Sequence, residues 1–477
     1  MQARKLSARP QLFVDFEDVD RQENVTRRFH PAEKARDVPV LKGERPWEQY
    51  KGAAASFIHD DEEQIYKVWY LGDTGFDEAT QHGRHVQCYA TSHDAIHWER
   101  PNLGLHEVLG TRENNVVIPA SHHDGMDHWE SMLKDPFDPD PDRRYKALGW
   151  SSYGEDLSPP RTGIYSATSP DGFTWSHSPD PVFWCKPRDG TDDLGPVGDA
   201  QAMMIDTLKK RYVAFLRGGG GRMISISEDF VTWTPPETVL WHANEEDLLY
   251  NQVGFVYGDQ YLGLLTHLDR HARRHTCTLQ LVMSRDGEHW QRAPCPPIIS
   301  PGEIGEWDRF LILLTGAPPV RVGDKLHIYY RGFGMRHSGL TGQLDARLAQ
   351  DDGQGPDSPA TGALGLATLR VDGFASINAS FDGGTLTTVP LEFTTDELSI
   401  NVKADFGRVF VELLDEEDKP LLGYSKADAI PIEENSVAAS VGWKAGRSLA
   451  PLRGQAVKIR FHLVNARLYS YTGRDTT

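Results

Sequence analysis

Cysteine is scarce in this chain: there are four in 477 residues, Cys88, Cys185, Cys277 and Cys295, with no Cys-x-x-Cys pair. That excludes the usual zinc-ligand spacing and fits the reduced, buried thiols of a cytoplasmic protein. No run of about 18 apolar residues occurs, so no membrane-spanning helix is expected. The basic first ten residues lack the apolar stretch of a secretory signal. Positive charge is in deficit, with 50 Lys and Arg against 69 Asp and Glu and a net charge of -19. Such a balance argues against nucleic acid and anionic lipid as partners, because both need basic surface. A neutral, hydroxyl-rich ligand suits it. Helical periodicity of any length is also missing, which predicts an all-β protein. Nothing in the composition fixes an oligomeric state.

What is present is a repeat. Ser92-His93-Asp94-Ala95-Ile96-His97-Trp98 returns as Ser169-Pro170-Asp171-Gly172-Phe173-Thr174-Trp175, as Ser227-Glu228-Asp229-Phe230-Val231-Thr232-Trp233, and as Ser284-Arg285-Asp286-Gly287-Glu288-His289-Trp290. A degenerate fifth copy, Val371-Asp372-Gly373-Phe374, follows Ala367-Thr368-Leu369-Arg370. Ser and Asp side chains close a tight turn on backbone amides, and Gly supplies the positive φ. Before each copy comes a strand, a charged turn and a Tyr- or Trp-rich strand, as in Ala53–Ile58, His59–Glu63 and Ile65–Tyr70. Five such units of about four strands each predict a five-bladed β-propeller over residues 1–378. The shorter alternating strands beyond it, such as Leu398–Val402 and Val457–Phe461, predict a β-sandwich over residues 379–477.

In a propeller, the first strand of each blade begins at the ligand face. Counting back one strand length from each first hairpin turn reaches a series of acids. They are Glu48 beside Trp47, then Asp127 with Trp129 and Glu130, then Asp199. Glu246 and Asp247 follow, with Tyr250 and Asn251 close by, and finally Asp308 beside Trp307. Carboxylates crowded at one opening shift each other's proton affinity, which lets one stay protonated while another is ionised. Trp47, Trp129 and Trp307 offer flat apolar faces to sugar rings. Asp127, Asp199 and Asp308 are therefore the candidate catalytic acids. Glu48, Trp47, Trp129, Glu130, Asp247, Arg217, Trp307 and His337 are candidate substrate contacts. Asp135-Pro136 falls at the hairpin end of its strand and reads as turn chemistry. No cofactor is expected, although acids and a histidine around a channel are also ligands for calcium or another divalent ion.

Leu12-Phe13-Val14-Asp15, Arg28-Phe29-His30-Pro31, Arg45-Pro46-Trp47-Glu48, Tyr89-Ala90-Thr91-Ser92, Arg460-Phe461-His462-Leu463 and Ala466-Arg467-Leu468-Tyr469-Ser470 resemble a bacterial group set beside glycoside hydrolase family 32. At the level of blade pattern, residues 11–377 resemble the wider superfamily of five-bladed propeller glycoside hydrolases, the invertases, levanases and arabinanases. The resemblance implies a glycosidase acting on a small oligosaccharide or glycoside, for instance a furanoside such as a fructoside. The Trp-Met-Asn-Asp-Pro-Asn-Gly nucleophile motif and the Glu-Cys pair of invertases are missing, so no residue role is carried over. A non-catalytic carbohydrate-binding propeller is a second reading. A phosphorylase is a third, for which Arg217, Arg222 and Arg331 are the set that would hold phosphate.

Overall fold

The computed structural model describes residues 4–35, 38–48, 55–77, 82–119, 128–151, 162–185, 197–218, 220–271, 275–303, 305–337 and 362–475. It is all-β, and among the described residues helix is confined to the short 3-10 turns Pro141–Arg143, Lys444–Gly446 and Ala450–Leu452 and to the single residue His337. Five sheets follow one another along the chain. Sheet I holds Ala55–Asp60, Ile65–Asp77, His82–Ser92 and Val116–Ile118; sheet II holds His128–Lys134, Tyr145–Ser151, Gly163–Ser169 and Ser176–His177, with Phe183–Trp184 beside the third. Sheet III comprises Ala202–Asp206, Arg211–Gly218, Gly221–Ser227 and Glu237–Trp241; sheet IV comprises Asp247–Tyr257, Gln260–Asp269, Thr276–Ser284 and Gln291–Arg292. Sheet V is built from Leu311–Leu314, Lys325–Phe333 and Gly362–Arg370, with Val320–Val322 beside Lys325–Phe333 and Glu33–Lys34, from the other end of the chain, as its outer strand. A parallel pair between Cys277 and Leu311 joins sheets IV and V into one nine-stranded sheet.

The turns between third and fourth strands form as their residue types dictate. Ser92, Ser169, Ser227 and Ser284 each accept the amide three residues on, at 2.8–2.9 Å. The Asp that follows accepts the next two free amides, as Asp171 does from Phe173 and Thr174 at 2.8 and 2.7 Å. The residue at the fourth position has positive φ in every copy, including Ala95 at 62° and Phe230 at 63° where glycine is absent. The degenerate copy departs from this. Asp372 binds the Tyr257 hydroxyl at 2.8 Å and the Ser470 hydroxyl, tying sheets IV and V to the C-terminal strands.

A second device joins neighbouring sheets. The first strands of sheets I and III end in Asp60 and Asp206, and Asp135 directly follows that of sheet II. All three are buried. Each pairs with a cation on the next strand of its own sheet and accepts a tyrosine hydroxyl from the following sheet. Asp60 meets Lys67 at 2.8 Å and Tyr145 at 3.0 Å; Asp206 meets Arg211 at 3.0 Å and Tyr261 at 3.0 Å. Asp135 meets Lys146 at 3.2 Å and Tyr212, while also accepting the Phe137 amide at 2.9 Å, so it is a turn and latch residue.

The first strands also touch each other through small side chains. The Ser56 hydroxyl donates to the Met132 carbonyl at 2.7 Å, Ser131 donates to the Gly316 carbonyl at 2.6 Å, and the Gly316 amide donates to the Ala55 carbonyl at 2.8 Å. At Gly316 a β-carbon would lie 1.6 Å from the Glu130 carbonyl oxygen, so only glycine permits this approach. A cavity of about 450 Å³ is lined by Phe57, Leu133, Met204 and Phe255, at the hairpin ends of the first strands of sheets I to IV, and by Val320 of the short strand that pairs with Lys325–Phe333.

Two further sheets share one apolar core that includes Leu6, Phe13, Leu386, Val411, Phe461 and Tyr471. One runs Arg4–Leu6, Leu391–Phe393, Ala456–Val464, Gly384–Thr388, Val19–Glu23, with Arg408–Leu414 beside Ala456–Val464. The other runs Asn435–Ser440, Glu397–Lys403, Ala466–Arg474, Ala375–Ala379, Thr26–Phe29, with Gln11–Leu12 beside Ala466–Arg474. Strand pairing therefore does not follow the division expected at residue 378. Strands between residues 4 and 29 join the C-terminal sheets, and Ala375–Ala379 straddles the expected boundary.

Candidate functional site

Chemistry gathers at the end of the sheets opposite that cavity, where first strands begin and second strands finish. Two β-bulges prepare it. The register of the first strand of sheet II shifts between Trp129 and Ser131, and that of sheet IV between Leu249 and Asn251. The extra residues are Glu130 and Tyr250. A bulge re-aims the side chain it carries out of the strand's alternation. Glu130 is buried, and its Oε2 accepts the Asn251 side-chain amide at 3.1 Å while Oε1 lies 3.7 Å from Arg331 Nη1. Arg331, at the end of the second strand of sheet V, is held by donating from Nε to the Leu314 carbonyl at 3.0 Å.

Asp199 precedes the first strand of sheet III and forms an ion pair with Arg217, at the end of the second strand. The Gly198 amide donates to the Arg217 carbonyl at 2.7 Å, and a β-carbon at Gly198 would stand 2.9 Å from Arg217 Nε. The Arg217 guanidinium lies over the Tyr250 ring at 5.1 Å, and the same ring meets His337 edge-on at 5.2 Å. Arg222 is Arg217's direct cross-strand partner and is fully buried, donating to the carbonyls of Tyr250 at 2.9 Å and Ala200 at 3.0 Å.

Two arginines side by side cost stability unless acids compensate. Burial and the neighbouring Arg217 pull Arg222 down to about 9, which still leaves it charged at neutral pH. Burial lowers Arg217 too, but Asp199, Tyr250 and Glu130 outweigh it and hold it above its ordinary value. His337 is pulled down to about 4, first by burial and then by Arg217, so it is neutral at pH 7. The cluster thus pairs two carboxylates from adjacent sheets with three fixed cations, a neutral imidazole and a tyrosine. Such a set can donate and accept protons and orient hydroxyl groups.

Of the residues expected from the sequence, the structure brings together Glu130, Asp199, Arg217 and His337. Asp127 lies outside the described residues. Glu48 is buried and saturated, accepting from Tyr70, from Arg100 at 2.8 Å and from the amides of Glu44 and Arg45 at 2.9 and 3.1 Å. Its neighbour Trp47 donates to Asn115 at 2.8 Å. Trp129 packs in the core against Trp175, with ring centroids 6.4 Å apart. Asp247 is taken by His267 at 2.5 Å and Arg292 at 3.1 Å.

Asp308 is buried between Lys34 at 2.7 Å and the Tyr330 hydroxyl at 2.8 Å, with Trp307 stacked on Tyr330. Tyr330 and Arg331 are successive strand residues and point to opposite faces, so Asp308 sits away from the Glu130–Arg331 contact. Tyr250 and Asn251 enter through the bulge, whose only trace in the sequence is their nearness to Asp247. Among the described residues no group of three or more His, Cys, Asp or Glu side chains could hold a metal ion. No described helix is long and apolar enough to cross a membrane.

No protein family matches the chain, and no curated protein does. Solved structures do show likeness. One comes from work on the GH130 family of mannoside phosphorylases, described as containing glycoside hydrolases that target β-1,2 mannosidic linkages in Candida mannan. It is 15% identical with a TM-score of 0.48, covering 72% of this chain and 94% of that one. A glycosyl hydrolase from Bacteroides ovatus is 13% identical with a TM-score of 0.48, covering 72% and 94%. An N-acetylgalactosamine deacetylase from F. plautii, in complex with blood group B trisaccharide, is 15% identical with a TM-score of 0.42, covering 72% and 96%.

Proposed function

We propose that the chain is a glycosidase that cleaves a small oligosaccharide or glycoside. In this reading sheets I to V are the blades of a five-bladed propeller, and the two C-terminal sheets form a β-sandwich completed by the N-terminal strands. The observation that carries the reading is the convergence of Glu130 and Asp199, from adjacent sheets, on Arg217 at the strand-start end. One carboxyl protonates the leaving glycosidic oxygen; the other attacks the anomeric carbon or activates water for that attack. Arg217 and Arg331 stabilise the ionised member, and Tyr250 and His337 orient sugar hydroxyls. Asp308 and Glu48, whose carboxylates are already engaged, hold the surrounding segments.

A panel of chromogenic furanosides and pyranosides tests the reading, with Asp199→Asn and Glu130→Gln as variants. The expected outcome is turnover of at least one glycoside, reduced about 10²–10⁴-fold in each variant with unchanged melting temperature. Binding without turnover would make the chain a carbohydrate-binding propeller instead. A phosphorylase remains a second reading on one specific ground: Arg217, Arg222 and Arg331 all face the Glu130–Asp199 cluster. Release of sugar phosphate in phosphate buffer, in place of free sugar, would decide for it.

A further inference from the structure

Trp47 and Trp129 are buried, and Trp307 is stacked on Tyr330. Of the twelve tryptophans, only Trp184 and Trp241 are exposed, by 44% and 66%. The two occupy the same place in adjacent sheets. Each ends the outermost segment of its sheet, Trp184 opposite Gly163 in sheet II and Trp241 opposite Gly221 in sheet III. The amide that follows closes the ladder in both. Cys185 donates to the Thr162 carbonyl at 3.1 Å, and His242 donates to the Gly220 carbonyl at 3.0 Å. The His242 ring also accepts the Leu249 amide at 3.1 Å. A lone exposed apolar side chain needs no explanation. Two large rings on tethered backbone, at one register in the sheets of Glu130 and Asp199, do need one.

Directly opposed residues of paired strands point to the same face. Leading inward from Trp184 the row is Gly163 and Ser151; from Trp241 it is Gly221 and Gly218. Each ring therefore stands at the outer end of a shelf of small residues. At about 4.8 Å between strands, the shelf is about 10 Å long. Its inner end meets the cluster. Gly218 follows Arg217, the partner of Asp199, and Ser151 follows Trp150, which pairs with His128 two residues before Glu130. Leu240 packs into the core of sheets III and IV, so alternation turns Trp241 toward sheet II. Phe183 meets Trp233 of the sheet III turn at 5.4 Å, so Trp184 turns toward sheet I. The rings thus flank sheet II, the sheet of Glu130, on its two sides.

We propose that Trp184 and Trp241 stack sugar rings on either side of the one held at the Glu130–Asp199 cluster, so that the substrate is an oligosaccharide longer than a disaccharide. This rests on the reading of that cluster as a glycoside site. An indole face matches the apolar C–H face of a sugar ring and leaves the ring's hydroxyls in water. A ring at the cluster alone does not reach a tryptophan about 10 Å outward, so a simple glycoside forgoes both platforms. Binding of the outer rings then holds the central bond in place for the two carboxyls.

Turnover by the full chain on manno-, xylo-, arabino- and fructo-oligosaccharides of two to five rings, beside aryl glycosides of the same sugars, tests the proposal. For at least one series kcat/KM should rise about tenfold or more from the disaccharide to the tetrasaccharide. In the Trp184→Ala/Trp241→Ala double variant that rise should collapse to about twofold or less. Trp241→Phe, which keeps a flat ring, should retain most of it. Acrylamide quenching of tryptophan fluorescence gives a readout free of catalysis: the tetrasaccharide should shield the wild-type protein and not the double variant. A sugar turned over equally well at every length overturns the proposal and leaves the glycoside reading standing. A rise with length that survives the double variant also overturns it. If the wild-type protein sediments as a dimer that the double variant loses, and chain length has no effect, the rings belong to an interface between copies of this chain and the proposal falls. If no sugar of any length is bound or turned over, the glycoside reading falls and this proposal with it.

Discussion

At the scale of single residues, the buried Asp–cation–Tyr latches join neighbouring sheets. Asp206 is fully buried between Arg211 of its own sheet and Tyr261 of the next, and its Oδ1 also accepts the Leu208 amide at 3.1 Å. Asp206→Ala leaves the buried Tyr261 phenol and the Leu208 and Lys209 amides without their acceptor, while Arg211 keeps Glu288 at 2.7 Å, so a summed loss of about 3–5 kcal/mol is expected in urea unfolding. Tyr261→Phe removes one hydrogen bond to a charged group and keeps the ring, so a smaller loss of about 1.5–3 kcal/mol should result. Equal losses from the two variants would show that the Tyr261 hydroxyl bond is the whole of what Asp206 contributes, and that its bonds to Arg211 and the turn amides add nothing.

At the scale of elements, two glycines set how the first strands meet the cluster, and they should respond differently to the same substitution. At Gly316 the obstacle to a β-carbon is the Glu130 backbone carbonyl, which cannot move without shifting the whole strand. Gly316→Ala should destabilise the protein by about 1–3 kcal/mol or more, through overpacking. At Gly198 the obstacle is the Arg217 guanidinium, the free end of a long side chain. Gly198→Ala should leave melting within a few degrees of wild type while displacing Arg217 from Asp199, so kcat on any glycoside turned over should fall at least about tenfold. Unchanged kcat in Gly198→Ala would remove the Asp199–Arg217 pair from the mechanism. The bulges at Glu130 and Tyr250 act at the same scale, since both side chains owe their direction to an extra residue in the ladder.

For the whole molecule, acid should unfold the protein in two stages, each from depressed groups. His30, bonded to Ser376 at 2.7 Å, is pulled down to about 4 by burial and then by Arg28 and Arg467. A depressed histidine adds stability that is complete above its unfolded value of 6.5 and is lost as pH falls toward 4. Burial raises the Asp60 carboxyl, but hydrogen bonds from Lys134 and Lys67 outweigh it and hold it well below the usual range. The backbone amides of Thr232 and Val231 bring Asp229 down to about 2. These carboxylates add stability above 3.8 that is lost on further acidification. Urea midpoints from pH 7 to 2.5 should therefore fall through both windows. His30→Gln should reduce the drop in the upper window, to which His337 also contributes, and leave the lower one unchanged. Asp60→Asn should lower stability at pH 6 and reduce the drop in the lower window, where Asp229 still titrates. A single drop confined below pH 4 would exclude His30 from the first stage.

The sequence by itself determined the local structure. Ser and Asp at fixed offsets close their turns wherever they occur, because the acceptors and the amides they bind lie within five residues of one another. Strand alternation likewise gave five sheets in order and an all-β chain. It also placed Glu130 and Asp199 at the starts of their strands. Only the tertiary structure decided which acids face that cluster. Glu48, Asp247 and Asp308 have the same local spacing as Asp199, but Arg100 and Tyr70, His267 and Arg292, and Lys34 and Tyr330 claim them first. Those partners lie up to hundreds of residues away along the chain, where no pattern of neighbours can announce them. The same holds for the N-terminal strands. Arg4–Leu6 pairs with Leu391–Phe393, and Glu33–Lys34 closes sheet V beside Gly362–Arg370, because backbone hydrogen bonding is blind to sequence distance.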